Sequence, residues 1–444
     1  MHSNIFLIAV RLPSKRLLSD FLVNASSSLA DIISCLQQQT HSVQHCRAAC
    51  TALAERFELD GSDAAYQWAR DAGAVEALVN CLRSQQADQT VCHHACRALA
   101  FIADGGEVKA IGCGGVEVVV DCLRVHRAEM DVCRRGCSVL NSIALSETGA
   151  AEAIISGGVE AVVDCLRVHR ADKDVCDRSC WMLGRMSSSE TGRARVIACG
   201  GVEAVVDCLR VHRADKNVCF TACGALQMLA TIVGETEAIA CGGIEAIVDC
   251  LRAHHADQDV CRQGCCTLVS MLLSDAGQSK AFACGGVEAV VACLRVHLED
   301  NNVCRQGCWA LGMLALNWPC RVKAIDCLGV ESILKCLRVH HKDKAVCHRV
   351  CWALQRLAIR EAGQVKLIAA GGVSVLVDCL QYHYENSAIC LQAVWTLANM
   401  AARVSSHPQL KQAGVISVAE QLLQRFKQHY LICSHAERLR SMLS

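Results

Sequence analysis

A ten-residue phrase recurs nine times along this chain, and its nearly constant spacing limits the possible folds more than any other feature. The phrase is Gly-Gly-Val-Glu-Ala-Val-Val-Asp-Cys-Leu or a close variant, and successive copies lie 41 to 43 residues apart. A tenth, weaker copy begins at Leu29. The first branched residues of the nine copies are Val75, Val116, Val159, Val202, Ile244, Val287, Val330, Val373 and Val415. A fixed period in the forties with helical content is typical of a solenoid, in which each unit buries its apolar face against its neighbours.

The composition agrees with a stacked helical array and argues against several partners. Apolar residues make up 52% of the 444 residues but aromatic residues only 4%, so the core must consist of Val, Leu, Ala, Ile and Cys. Lys plus Arg equals Asp plus Glu, 44 each, so no net field favours nucleic acid or an anionic membrane. No apolar run is long enough to span a bilayer. The short apolar stretch Ile5–Val10 is interpreted as part of a capping helix or a disordered lead-in.

Residues 233–275 show the pattern of one repeat. A short first helix is predicted to stop at Gly242-Gly243, and a second helix to start at Ile244 with Glu245 in its first turn, where a carboxylate complements the helix dipole. Asp257 and Asp259 are N-cap candidates for a longer third helix. The apolar face of that third helix comprises Val260, Cys261, Cys265, Leu268 and Leu272.

Three helices at this period resemble the armadillo repeat, and the resemblance covers roughly residues 29–433. It depends on the Gly-x-hydrophobic start of the second helix, its Leu-rich end, and the pattern Trp309-Ala310-Leu311 in the third helix. The Gly-Gly-[Val/Ile]-Glu starts look closest to the armadillo units of leucine-rich-repeat kinases and of related protist proteins. The resemblance implies an all-α fold, a right-handed armadillo superhelix of about nine three-helix repeats. The predicted domains are a lead-in or cap over 1–28, the array over 29–414, and capping helices over 415–444.

The 34 cysteines follow the repeat. One falls in most second helices, in several of them four residues before a histidine, as in Cys165 and His169. A pair spaced i, i+4 follows in the third helix, as in Cys176 and Cys180. A Cys3His zinc cluster per repeat can be built from such pairs. The favoured interpretation is core packing by reduced thiols without a metal, because each cysteine falls where an armadillo repeat has a small apolar residue. The histidines at the helix ends are explained by the helix dipole and solvent, and the Arg-Val-His-Arg turns, such as Arg124–Arg127, by a solvated edge.

In armadillo proteins the third helices line an inner groove, and the residues assigned to it here differ from repeat to repeat while the core hardly changes. Trp and Arg are the residues most enriched in binding hot spots. The Trp–Asn ladder of the nuclear-import adaptors is complete at only one place, and arginine beside the other tryptophans disfavours a basic peptide. The candidate partner-binding residues are Trp181, Arg185, Arg262, Arg305, Trp309, Trp352, Arg356, Trp395 and Asn399.

The sequence therefore favours a binding protein over an enzyme. It has no phosphate loop after a strand, no Gly-x-Ser-x-Gly and no His-Glu-x-x-His, so neither catalysis nor a cofactor is expected. The predicted function is a monomeric scaffold that binds an extended acidic or phosphorylated protein segment, with the cytoplasm as the expected location and the nucleus as the alternative. A Cys/His-rich metal- or thiol-buffering protein and a nuclear-transport adaptor are the alternatives. A small-molecule substrate, a membrane span and nucleic acid are not expected.

Overall fold

The structure is a computed structural model that describes residues 22–444, so the predicted lead-in segment Ile5–Val10 lies outside the described residues. The chain divides into two compact units, Met1–Met186 (unit 1) and Ser187–Ser444 (unit 2). Residues 22–444 form helices and no strand, which confirms the predicted all-α class. The predicted boundaries at residues 28 and 414 are not tested by this division.

Unit 1 contains eleven described helices, which repeat in the order first, second and third helix after an initial second–third pair. They are α1 (Leu29–Gln38), α2 (Val43–Leu59), α3 (Asp63–Asp71), α4 (Ala74–Ser84), α5 (Gln89–Ile102), α6 (Glu107–Gly112), α7 (Gly115–Val125), α8 (Met130–Ile143), α9 (Glu147–Ile155), α10 (Gly158–Val168) and α11 (Lys173–Met186).

Unit 2 continues the same order from a first helix onward, with a short 3-10 turn at Val404–Ser406. Its helices are α12 (Glu190–Ala198), α13 (Gly201–Val211), α14 (Lys216–Leu229), α15 (Ile232–Ala240), α16 (Gly243–Ala253), α17 (Gln258–Ser270), α18 (Asp275–Ala283), α19 (Gly286–Val296), α20 (Asn301–Leu314), α21 (Trp318–Asp326), α22 (Gly329–Val339), α23 (Lys344–Leu357), α24 (Glu361–Ala369), α25 (Gly372–Tyr382), α26 (Ser387–Ala401), α27 (His407–Gln412), α28 (Val415–Arg425) and α29 (Tyr430–Leu443).

Helices of one kind pack side by side within each unit. In unit 1 the third helices α2, α5, α8 and α11 are successive neighbours, as are the second helices α1, α4, α7 and α10. In unit 2 the third helices run α14, α17, α20, α23, α26, α29 in the same manner. Each unit therefore consists of layers of equivalent helices, and a given sequence position recurs along a layer.

The local chemistry of the motif explains where these helices begin. A glycine in the left-handed conformation precedes most second helices, as at Gly242 (φ 80°), and an L side chain adopts this conformation only with strain. Asp257 caps α17 by accepting hydrogen bonds from the backbone N–H groups of Asp259 and Val260. Of the two predicted caps, Asp257 therefore fills the position and Asp259 lies in the first turn.

The cysteines lie in the core, where the sequence interpretation put them. All 34 are free thiols; 27 are buried and seven are half-buried. Burial raises the pKa of the Cys390 thiol to about 12, so this group stays protonated at neutral pH.

Among the described residues, no single helix is both long and apolar enough to cross a membrane. The helices α24 and α25, which meet at an angle of 81°, are long and apolar enough only when the two are counted together.

Candidate functional site

The arginine of the repeated motif connects neighbouring repeats. The Nη2 group of Arg83 donates to the carbonyl of Cys113 (2.7 Å), and that of Arg338 donates to Ala370 (2.9 Å). Arg252 bonds in the same way to the carbonyl of Cys284. These carbonyls end the first helix of the following repeat, where a cation is favoured. Arg124, in one of the Arg-Val-His-Arg turns predicted to form a solvated edge, donates likewise to the carbonyl of Ser156 at 3.1 Å, so solvation alone does not describe that edge.

The motif histidine makes a second link, toward the preceding repeat. The Nε2 of His126 lies 2.7 Å from the carbonyl of Gln86, and that of His383 lies 2.7 Å from the carbonyl of His341. A carbonyl only accepts, so Nε2 carries the proton. Gln85 fills the same position in an earlier repeat and donates to Thr40 at 2.8 Å. The explanation of these histidines by dipole and solvent alone is corrected: they are inter-repeat hydrogen-bond donors.

The remaining polar residue of the motif, the glutamate, pairs with a lysine of the next first helix. Glu245, Glu288 and Glu331 lie 2.8–2.9 Å from Lys280, Lys323 and Lys366. The polar residues of the repeated motif thus bond adjacent repeats to one another. A partner site that differs between repeats would therefore lie on the third helices.

The predicted residues of unit 1, Trp181 and Arg185, lie half-buried on α11. The guanidinium carbon of Arg185 is 5.7 Å from the centre of the Trp181 ring. Arg185 also donates to the backbone carbonyls of Ala144 and Leu145 at 2.9–3.2 Å. Part of its hydrogen-bonding capacity is therefore used at the end of α8.

Five side chains on α20 and α23 of unit 2 form what we call the Arg–Trp cluster: Arg305, Trp309, Arg349, Trp352 and Arg356. All five are half-buried on two adjacent third helices. The guanidinium carbon of Arg349 lies 3.7 Å from the Trp309 ring centre, and that of Arg356 lies 5.3 Å from the Trp352 ring centre. Cation–π contacts hold both tryptophans against positive charge.

The charge of this cluster is not neutralised within residues 22–444. No carboxylate lies within 4.0 Å of its three arginines, and Arg305 has only the amide oxygen of Asn302 at 3.2 Å. The buried Nε groups of Arg305 and Arg356 have no hydrogen-bond partner. Desolvation, with Arg305 nearby, lowers the pKa of Arg349.

The third helices of unit 1 differ in this respect. Arg97 pairs with Glu58, and Arg134 lies 3.1 Å from Asp172. Arg97 holds the pKa of the Glu58 carboxyl below its usual range through a hydrogen bond. Arg134, at the place that corresponds to Arg305, is thus neutralised in unit 1, whereas the arginines of the Arg–Trp cluster have no acidic partner among the described residues.

The other predicted residues of unit 2 flank this cluster. Arg262 lies over the ring of Phe220 (5.6 Å) and 3.7 Å from Asp259. Trp395 stacks on His435 of α29, with ring centres 4.6 Å apart and planes 19° apart. The single complete Trp–Asn pair, Trp395 with Asn399, therefore has its ring covered on one side by the chain itself.

Sequence reasoning missed Arg349, Trp318 and Arg360. Arg349 lies one residue beyond the position that corresponds to Arg305. The guanidinium of Arg360 lies 5.8 Å from the ring of Trp318, which starts the first helix α21. The signal that could have found Arg349 is its position two residues after Cys347, where Arg135 and Arg178 also lie. On a third helix that position is half-buried toward the neighbouring repeat.

Comparisons with known proteins agree with this architecture. A family model, the Armadillo/beta-catenin-like repeat, matches residues 362–402. A crystal structure of an engineered protein from the Northeast Structural Genomics Consortium is 26% identical, with a TM-score of 0.76 over 95% of this chain and 99% of that one. A beta-catenin structure from work on cadherin binding is 16% identical, with a TM-score of 0.78 over 94% of this chain and 83% of that one. A search of curated proteins gave no match.

The fold and its layers of equivalent helices define an all-helical solenoid. The match of residues 362–402 to the armadillo repeat and the similarity in fold to beta-catenin support the predicted armadillo-repeat family. The predicted family is confirmed, while the likeness to the armadillo units of leucine-rich-repeat kinases stays a prediction.

Proposed function

We propose that this chain is a non-catalytic scaffold whose third-helix face in unit 2 binds an extended acidic or phosphorylated protein segment. The observation that carries the proposal is the Arg–Trp cluster, with three half-buried arginines that lack acidic partners in the described chain beside two tryptophans. A carboxylate or phosphate would supply the missing hydrogen bonds to guanidinium groups that are already partly desolvated. For beta-catenin, a conserved phosphorylation switch controls the interaction with cadherin.

Binding of labelled peptides, followed by fluorescence anisotropy, tests this proposal. Matched peptides of about ten residues, one rich in Glu and phosphoserine and one rich in Lys, separate an acidic-segment scaffold from an import-type adaptor. We expect Arg356→Glu to weaken binding of the acidic peptide by about 10- to 100-fold, because a charged hydrogen bond contributes roughly 1.5–3 kcal/mol and the new carboxylate repels the peptide.

Arg295→Glu is the matched control, because Arg295 is exposed on the second helix α19 and the charge change is the same. An equal loss of affinity for the acidic peptide in both variants would mean that only the net charge of the protein matters. Tighter binding of the Lys-rich peptide by the unmodified protein would favour the nuclear-transport adaptor. A Trp352→Ala variant that keeps the helical circular dichroism signal should also lose affinity. Loss of that signal would assign Trp352 to the scaffold.

We also propose that the protein works in the cytoplasm, with the nucleus as a second location. Pairs of thiols such as Cys261 and Cys293 (Sγ–Sγ 3.2 Å) lie in contact as free cysteines, and reducing compartments keep such pairs reduced. Imaging of the tagged protein in its source cells tests this location.

A further inference from the structure

One interface between repeats of unit 2 gathers metal-type ligands more closely than the others. The sulfurs of Cys347 and Cys379 and a ring nitrogen of His383 lie within 4.8 Å of one another, and all three residues are buried. Within residues 22–444 this is the one group of at least three such ligands. The Cys351 sulfur lies 3.9 Å from that of Cys379 but not within 4.8 Å of all three ligand atoms, so it is the nearest candidate for a fourth ligand.

The four residues come from two helices that face each other. Cys347 and Cys351 are one turn apart on α23, and Cys379 and His383 are one turn apart on α25 of the next repeat. Residues spaced i, i+4 share one face of a helix, so both pairs are directed at one interface. Three sulfurs and one imidazole are a ligand set found in structural zinc sites.

The hydrogen bond of His383 sets the ring nitrogen that a metal would use. Because Nε2–H donates to the carbonyl of His341 at 2.7 Å, Nδ1 is unprotonated in the neutral ring. Histidine ligands in metal sites usually donate their other ring N–H to a carbonyl or carboxylate, which fixes the tautomer and ring orientation. His383, only 4% exposed, already makes this outer hydrogen bond through Nε2.

Distances and access also fit a small soft or borderline cation. Two sulfurs on one tetrahedral zinc, each about 2.3 Å from the metal, lie roughly 3.8 Å apart, close to the 3.9 Å between Cys351 and Cys379. A cleft of about 670 Å³ between α22 and α25 reaches the site, since Cys379 and His341 are among its lining residues. The cleft therefore brings solvent next to Cys379, whose side chain is itself buried.

We propose that Cys347, Cys351, Cys379 and His383 form a Zn²⁺ site that links α23 to α25. Binding replaces three thiol protons, which pass to solvent, with one divalent cation, so the bound cluster carries one net negative charge. The neighbouring interface has the equivalent residues Cys304, Cys308, Cys336 and His340, yet no three of its ligand atoms lie as close together as those of Cys347, Cys379 and His383. Packing of thiols remains the role of the cysteines there.

Titration of the reduced, metal-free full chain with Co²⁺, followed by displacement with Zn²⁺, tests the site. Tetrahedral Co²⁺ with thiolate ligands absorbs strongly in the visible and near ultraviolet, and we expect one equivalent to produce these bands. His383→Gln should weaken Zn²⁺ binding by at least about 100-fold, because losing even an outer partner costs 10- to 100-fold. Glutamine is chosen because Gln85 makes the same inter-repeat hydrogen bond at the corresponding position, so the fold is preserved.

His340→Gln is the matched control, with the same change one repeat earlier. We expect it to bind Zn²⁺ as the unmodified protein does and to keep the Zn²⁺-dependent rise in melting temperature, which His383→Gln should lose. Absence of the Co²⁺ bands, several equivalents spread over the chain, or equal binding by both variants would overturn the site.

Discussion

At the scale of single residues, Leu328 departs from the repeat, and the hydrogen bonding of a neighbouring arginine changes with it. It is the one non-glycine residue with positive φ (68°) in residues 22–444, at a turn where most other repeats have glycine. A Cβ built on the equivalent Gly285 would collide with the Arg252 guanidinium. Accordingly, Arg295, which corresponds to Arg252, makes no hydrogen bond to the described chain, whereas Arg338 still bonds Ala370 although it lacks the usual aspartate.

We expect Leu328→Gly to raise the free energy of unfolding by about 1 kcal/mol. The left-handed conformation costs a residue with a side chain roughly 1–2 kcal/mol, and the glycine variant avoids this cost. The greater flexibility of glycine in the unfolded chain offsets part of that stabilisation, while Arg295 regains its carbonyl acceptor. Gly371→Leu makes the opposite change at the equivalent turn and should destabilise by a similar amount. Urea unfolding curves measure both variants, and the same sign for the two would contradict the strain argument.

His94 makes the stability of unit 1 depend on pH. Burial lowers its pKa to about 4, and His93, with its ring centre 4.7 Å away, contributes. As the pH falls from about 6.5 to 4, His94 binds a proton in the unfolded chain but not in the folded chain, so the free energy of unfolding decreases in this window. We expect His94→Gln to remove part of that loss, on the order of 1–2 kcal/mol after allowing for partial exposure, in urea unfolding between pH 7 and 4.5. The exposed His41→Gln is the control, and an equal effect there would refute the assignment to His94.

At the scale of helices, the motif arginine contributes where it reaches a carbonyl and not otherwise. Arg252 bonds the carbonyl of Cys284 and lies 3.3 Å from Asp249, whereas Arg295 has neither partner. We expect Arg252→Ala to lower the free energy of unfolding by about 1 kcal/mol, with Arg295→Ala within about 0.5 kcal/mol of the unmodified chain. Urea midpoints of the two variants, measured side by side, give the comparison. Equal midpoints would mean that these bonds add nothing to the folded state.

The helices were largely predictable from the sequence because each start and stop has a local cause. Glycine pairs end the first helices, and Asp257 caps α17. The role of His383 was not predictable, because its partner carbonyl belongs to a residue 42 positions earlier. Arg349 was missed for a related reason: it contacts Trp309 of the previous repeat, and no local periodicity encodes that contact.

At the scale of the whole molecule, the repeat separates two tasks between layers of helices. The second helices carry nearly the same phrase each time because Arg, His and Glu each bond an adjacent repeat. The third helices share their buried cysteines but vary in the half-buried positions between them. Arg97 and Arg134 of unit 1 pair with acidic side chains, whereas the arginines of the Arg–Trp cluster have no acidic partner among the described residues. Duplication of one stable unit leaves such a layer free to acquire specificity.

This division predicts how the thiols of the whole molecule react. The 27 buried cysteines cannot meet a reagent until the repeats open, and the seven half-buried ones are partly covered. Hydrogen bonding to Cys122, followed by burial, raises the pKa of Cys92, so the reactive thiolate is scarce even where solvent enters. We therefore expect Ellman's reagent to modify no more than about seven thiols quickly in the native, reduced chain and all 34 in guanidinium chloride. Rapid reaction of most thiols in the native protein would contradict a packed core and favour a thiol-buffering function, since a buffer must expose the groups that it uses.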